Sequence, residues 1–148
     1  MPGNPSPNPV VSTSPPARDT RLRYRAVPFL VLVLAEILVG NQLAVVSSPY
    51  PVGYLAAHVG LSIALIVWGG YLVVTAYQMR RVLARVLSGL CFGPVVIATL
   101  SGTVFLLGGG SQAALYAMEG FGGLAFLGSI LLILWGSFPS SGPTSGTA

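Results

Sequence analysis

Four long apolar segments separated by short turns fill most of this chain and determine what it can fold into. They cover about residues 27–47, 52–77, 83–107 and 112–138. A helix of roughly 20 residues, rising ~1.5 Å per residue, crosses the ~30 Å hydrocarbon core of a bilayer. Only 7% of the residues are charged, whereas a water-facing domain carries about 25%. The sequence therefore predicts an all-α integral membrane protein.

The connections between these segments are too short for anything but side-by-side helices. The turns fall at about residues 47–51, 78–81 and 108–111. The first contains prolines and the third contains glycines. Proline cannot continue a helix, and short connections make consecutive helices antiparallel. We expect an antiparallel four-transmembrane-helix bundle over residues 26–138.

The basic residues are all arginines, and they lie on one side of this bundle. A sequence pI of about 9.7 is also typical of nucleic-acid binding proteins, but here the charges flank apolar segments, which indicates membrane topology and no nucleic-acid partner. By the positive-inside rule we expect a multi-pass plasma-membrane protein with both termini cytoplasmic. The arginines are Arg18, Arg21, Arg23, Arg25, Arg80, Arg81 and Arg85.

The two ends of the chain have the composition of tails. Residues 1–25 are rich in proline and end in the first arginine cluster, and residues 139–148 are mostly Ser, Gly, Pro and Thr. Such segments contain too little apolar surface to offset the entropy of ordering. We expect both to be disordered and cytoplasmic.

The spans contain an internal repeat in the spacing of their residues. Gly40 precedes His58 by 18 residues, and Gly102 precedes Glu119 by 17 residues, in each case with an uncharged turn between them. The offset of about 61 residues predicts two repeated helical hairpins. His58 and Glu119 are then matched positions, which favours an outer-leaflet pocket between the second and fourth spans.

Three ionisable residues lie inside the spans, where charge is costly and side chains of this kind are functional candidates. His58, the single histidine, shares a helix face with Tyr54 and Ser62. It suits an axial haem ligand, a proton-relay or quinone-contacting group, or a histidine hydrogen-bonded between helices. These three interpretations stay open.

The two carboxyl groups have less specific roles. Glu119 stands among glycines, which leave room for close helix contact or a flat ligand. It would serve as a proton carrier, as a hydrogen-bond partner of His58, or as a contact to a bound head group. Glu36 lies near the middle of its span, so we expect a neutral acid hydrogen-bonded to a polar or backbone group.

Small residues on two spans predict packing seams or contacts with another chain, and a lone thiol predicts a buried residue. Ala56, Gly60 and Ala64 recur at four-residue spacing, as do Gly89 and Gly93, which is typical of helix-packing seams. The lone Cys91 cannot form a disulfide within the chain, and we expect it to be buried.

Two stretches carry a resemblance to a known family. Residues 37–46, Ile-Leu-Val-Gly-Asn-Gln-Leu-Ala-Val-Val, and residues 54–64, Tyr-Leu-Ala-Ala-His-Val-Gly-Leu-Ser-Ile-Ala, resemble the glycine-bearing helix and histidine helix of one four-helix half of the haem A synthase family. The resemblance implies a haem contact for His58, with its imidazole as a ligand of the haem iron. The family's Glu-x-x-His-Arg signature is missing, since Leu55 and Val59 occupy its flanking positions, and Glu119 stands at the family's fourth-helix histidine position.

Two functional hypotheses follow. The first is a haem- or quinone-related outer-leaflet site in a redox or respiratory-chain protein, with His58, Glu119, Glu36, Tyr54 and Ser62 as ligand-binding residues. The second is a non-catalytic accessory subunit of a respiratory oxidase or another large membrane complex. The chain has no Walker, Gly-x-Ser-x-Gly or Cys-x-x-Cys motif, so no catalytic residue is predicted. Expected partners are the lipid bilayer and either respiratory-complex subunits or further copies of this chain.

Overall fold

The described part of the chain folds into four helices, and the all-α membrane bundle predicted from the sequence is confirmed. The computed structural model describes residues 17–46, 50–79, 81–108 and 110–137, with side chains from Leu22 onward. Each helix contains a stretch long and apolar enough to cross a bilayer, so the described part of the chain has four candidate spans. The helices are α1 (Ala17–Val45), α2 (Val52–Gln78), α3 (Val82–Leu107) and α4 (Gln112–Trp135).

Two helix boundaries differ from the sequence-based expectation. Residues 17–25, which we expected in the disordered tail, belong to α1. No proline interrupts the backbone between Pro16 and Pro28, and Ala, Arg and Leu are strong helix formers. At the other end α4 stops at Trp135, before Gly136, three residues earlier than expected. The remaining tail predictions, for residues 1–16 and 139–148, lie outside the described residues.

The four helices form a closed ring. Contacts join α1 to α2, α2 to α3, α3 to α4 and α4 back to α1, and the α3–α4 contact is the most extensive. Short turns explain the three sequential contacts, because each keeps its two helices side by side. The α4–α1 contact closes the bundle and brings the first and last spans together.

The burial pattern confirms the repeated hairpins and fixes their offset. For every buried residue of α1 from Leu22 onward, the residue 62 positions later, in α3, is also buried. The α1–α3 pairs are Leu22/Ala84, Ala26/Ser88, Phe29/Cys91, Val33/Val95, Glu36/Ala98, Gly40/Gly102 and Leu43/Phe105. For α2 and α4 the offset is 60 residues, and it relates His58 to Met118, Leu65 to Ala125 and Leu72 to Leu132. Since the repeats run in the same direction, a pseudo-two-fold axis runs along the bundle.

This offset corrects one predicted correspondence. The residue of α4 that matches His58 is the buried Met118, and Glu119 is its exposed neighbour. One residue along a helix turns the side chain by about 100°, which moves it from the interior to the surface. The predicted pairing of His58 with Glu119 was therefore wrong by one position.

The predicted packing seams are also not internal to this chain. A Cβ added at Gly60, Gly89 or Gly93 would meet no other atom within 4 Å, and Ala56 is exposed. These positions lie on the outer surface of the bundle. The buried Cys91 instead packs against α4, where a Cβ added at Gly128 would lie 3.2 Å from its sulfur.

Candidate functional site

The core of the candidate site is a carboxyl–imidazole contact between α1 and α2. His58 Nδ1 lies 2.5 Å from Glu36 Oε1, and only 1% of His58 and 7% of Glu36 are exposed. The Ser62 hydroxyl, one turn beyond His58, donates to the same oxygen over 3.5 Å. The polar partner that Glu36 requires at this depth is therefore His58.

This contact leaves hydrogen-bonding capacity unused. Glu36 Oε2 and His58 Nε2 are buried without a hydrogen-bond partner among the described residues. The Nδ1–Oε1 contact is short but is not aligned as a hydrogen bond. Buried polar atoms without partners are costly, and a catalytic or binding role is one reason for a protein to retain them.

The other two helices hold the imidazole in place. A Cβ added at Gly102 of α3 would lie 2.6 Å from His58 Cε1 and 3.0 Å from Nε2, so only glycine fits there. The same Cβ would lie 3.0 Å from the sulfur of Met118 on α4. All four helices therefore meet at His58: α1 supplies the carboxyl, α2 the imidazole, and α3 and α4 its packing.

The pseudo-two-fold axis relates the Glu36–His58 site to an equivalent place in the other half of the bundle, where the side chains are apolar. In the second half of the ring Gly40 packs against Met118, and a Cβ added there would lie 2.7 Å from the methionine methyl group. Ala98 occupies the position that corresponds to Glu36. One hairpin thus carries an acid–imidazole pair, and the other carries alanine and methionine at the equivalent places.

A cavity lies at the centre of the pseudo-symmetry. Its volume is about 30 Å³. Three pairs of lining residues are related by the 62-residue offset. The lining residues are Val33, Glu36, Ile37, Leu65, Val95, Ala98, Thr99, Met118, Glu119 and Gly122. The small side chain of Ala98, opposite Glu36, contributes to this space.

Glu119 connects the cavity with the outside of the bundle. Its side chain is exposed, yet it also lines the cavity together with Glu36. One turn further along α4, Gly122 lies against Ile37 of α1, since a Cβ added there would be 3.4 Å from Ile37 Cγ1. Glu119 therefore stands at the seam between α1 and α4. The pocket predicted between the second and fourth spans is instead bordered by all four helices.

Tyr54 does not join the polar pair. It packs nearer the end of the bundle, against the buried cluster of Leu43, Phe105 and Ala114. Sequence reasoning missed the roles of Gly102, Ala98 and Thr99. The repeat carried the signal for the first two, because the 62-residue offset maps Gly40 onto Gly102 and Glu36 onto Ala98.

His58 is packed tightly against α3. Its Nε2 would lie 3.0 Å from a Cβ added at Gly102, so there is little free space on that side of the ring. Over the described ranges no three His, Cys, Asp or Glu side chains come together as metal ligands would. What the arrangement offers is a carboxyl in contact with an imidazole, beside an apolar cavity with a second carboxyl at its mouth.

Comparison with known proteins adds no relative to this description. The chain matches no protein-family model, no curated protein and no solved structure.

Proposed function

We propose that this protein binds a lipid-soluble quinone or quinol in the cavity, as a multi-pass protein of the plasma membrane with cytoplasmic termini. One observation carries the proposal. A mainly apolar cavity inside the spans borders both the exposed Glu119 and the buried Glu36–His58 contact. A ligand that arrives through the bilayer would meet a carboxyl at the mouth and a proton-exchanging pair behind it.

The lining of the cavity supports this class of ligand. Small-molecule sites are mostly apolar and contain a few polar groups that fix orientation. The free space is only about 30 Å³, so a ring enters when α1 and α4 move apart at their seam. A quinone is an apolar ring with two oxygens, so it matches an apolar lining with a carboxyl at either end.

Each polar side chain has its own role in binding the ligand. Glu119 at the seam hydrogen-bonds the ring oxygen nearest the bilayer. Glu36 meets the inner oxygen and accepts a hydrogen bond from it when the ligand is a quinol, and the His58 imidazole can take up a proton that passes from that hydroxyl to the Glu36 carboxylate. Gly102 and Met118 keep the imidazole against Glu36 throughout. Quinones carry electrons in respiratory membranes, so this role places the protein beside a respiratory chain.

Haem is the weaker ligand hypothesis for this chain. The resemblance to haem A synthase remains a prediction, and the contact between His58 and Gly102 speaks against iron at Nε2. The test is an absorbance spectrum of the protein purified from haem-supplemented cells. We expect no Soret band. A Soret band that disappears in His58→Ala would overturn the choice of quinone over haem.

Quinone binding is tested by filling the cavity. The purified chain in detergent is dialysed against decylubiquinone or a short-chain menaquinone, with empty micelles as the blank. We expect Ala98→Leu to abolish saturable binding, because Ala98 lines the cavity and is buried. Ala56→Leu places the same side chain on the exposed surface of α2 and should bind like the parent. Equal binding by both variants would refute the site.

A second candidate function is that of an accessory subunit of a respiratory oxidase or of a homo-oligomer. The observation that favours it is the outer surface, where Gly60, Gly89 and Gly93 have open space beside them. Glycines at four-residue spacing permit close contact with another membrane helix. Mild solubilisation of native membranes tests this role. Co-migration with oxidase subunits that is lost in Gly93→Leu but kept in Ala98→Leu would establish it.

A further inference from the structure

A second polar site lies at the arginine-bearing end of the bundle, in the groove between α1 and α2. Arg25 Nη1 donates to Thr75 Oγ1 over 3.0 Å. The guanidinium carbon lies 4.6 Å from the centroid of the Tyr71 ring, which is a cation–π distance. The half-buried arginine is thus held between a hydroxyl and an aromatic face.

The partners of Arg25 are themselves fixed. Thr75 donates its hydroxyl proton to the Tyr71 backbone carbonyl over 2.8 Å, which leaves its oxygen lone pairs free to accept from Arg25. The Trp68 indole N–H donates to the Arg25 backbone carbonyl over 2.9 Å. The Trp68 and Tyr71 rings contact each other edge-on at 6.1 Å. The guanidinium is therefore ordered in advance, so that a ligand pays little entropy to bind it.

No carboxylate that the structure describes neutralises this charge. Glu36 is 11 residues further along α1, about 16 Å away along the helix, and it contacts His58. Glu119 belongs to α4, at the level of that same pair. A guanidinium has five N–H donors in a planar fork that matches two oxygens of a phosphate, and Thr75 takes up one of them.

The position of Arg25 corresponds to the level of lipid head groups. It lies three residues inside the span that begins at Leu22, or about 4.5 Å. Tyr71 is 45% exposed, as is typical of the aromatic belt at a membrane interface. The neighbouring exposed side chains of Val27 and Val74 are apolar and suit acyl chains.

We propose that Arg25, positioned by Thr75 and Tyr71, binds the phosphate of an anionic glycerophospholipid. The apolar surface beside it favours a lipid over a free phosphate ion, which offers the same oxygens but no chains. The site is separate from the cavity, so a failure to bind the lipid would not refute quinone binding, and a failure to bind quinone would not refute the lipid site.

The test is native mass spectrometry of the full chain with phosphatidylglycerol, with phosphatidylcholine of the same chains, and with inorganic phosphate as a competitor. Arg25→Gln should lower phosphatidylglycerol affinity about tenfold, the effect of one charge-assisted contact. Arg23→Gln removes the same charge from an exposed position of the same helix and should change it less than twofold. Thr75→Val keeps every charge and should still lower the affinity several-fold, because the guanidinium loses its support.

Each alternative has its own result. An equal loss in Arg23→Gln and Arg25→Gln, or no loss in Thr75→Val, would mean diffuse attraction and would overturn the site. Equal retention of phosphatidylcholine would refute selection for an anionic lipid. Displacement by millimolar phosphate would show a free-phosphate site in place of a lipid site. Should Arg25→Gln fail to give a monodisperse protein, the comparison of Thr75→Val with Arg23→Gln decides alone.

Discussion

Gly102 lies against the imidazole of His58 so closely that any side chain there would collide with the ring. The distance from an added Cβ to His58 Cε1 would be 2.6 Å. The pseudo-symmetric contact between Gly40 and Met118 is equally short, 2.7 Å, but its partner atom is the end of a flexible methionine. The two glycines therefore have the same place in the repeat and different consequences when they are changed.

Gly102→Ala should destabilise the bundle by about 1–3 kcal/mol, because the ring must move away from Glu36. Gly40→Ala should cost clearly less, since the Met118 methyl group can rotate aside. Unfolding in mixed SDS micelles, followed by circular dichroism, measures both. Equal losses in the two variants would contradict the role of Gly102 in holding the His58 ring against Glu36.

Glu36 and His58 should behave as one unit in a double-mutant cycle. Removing either partner leaves a buried polar group alone, which costs about 3 kcal/mol. Glu36→Ala combined with His58→Ala should therefore be less destabilised than the sum of the single variants, by about 1 kcal/mol or more. Met118→Leu conserves volume at the pseudo-symmetric position and should lose less than about 1.5 kcal/mol. Additive effects would mean that the two side chains do not interact.

Cys91 should be protected from labelling while the bundle is folded. The thiol is 1% exposed and packs against Gly128 of α4. We expect a maleimide to react slowly in mild detergent and completely after unfolding in SDS. Gly128→Ala, whose Cβ would lie 3.2 Å from both the sulfur and the Leu90 carbonyl oxygen, should speed the reaction in mild detergent. Rapid labelling of the parent protein would contradict the α3–α4 packing.

The predicted topology has a direct reporter test. All arginines fall at one end of the spans, so both termini should be cytoplasmic. A green fluorescent protein fused after Ala148 should fluoresce, and alkaline phosphatase at the same position should be inactive. A fusion inserted after Gly110, in the turn at the other end, should give the opposite pattern. Phosphatase activity after Ala148 would reverse the orientation.

The sequence predicts the helices well and their rotations poorly, for a physical reason. Long apolar runs and proline turns report on each span by itself, so four helices and their order follow from hydropathy alone. The Glu36–His58 contact joins residues on two helices, and its formation depends on how each helix is rotated. Gly102 determines that rotation by letting the imidazole approach α3. No single-span pattern contains this information.

The same limit explains the error at Glu119. The repeat was visible as an offset of about 61 residues, but the offset is 62 between α1 and α3 and 60 between α2 and α4. A shift of one residue in α4 exchanges the buried Met118 for the exposed Glu119. The burial of Met118 and its packing against Gly40 and Gly102 show that Met118 faces the interior.

Entry of a quinone into the cavity from the bilayer at the α1–α4 seam can be followed by photolabelling. The purified protein is irradiated with a short-chain azidoquinone and digested, and the labelled peptides are identified by mass spectrometry. We expect label on α1 near Ile37 and on α4 near Glu119 and Gly122, competed by excess unlabelled quinone and lost in Ala98→Leu. Label spread evenly over the exposed faces of α2 and α3, or label unaffected by Ala98→Leu, would contradict it.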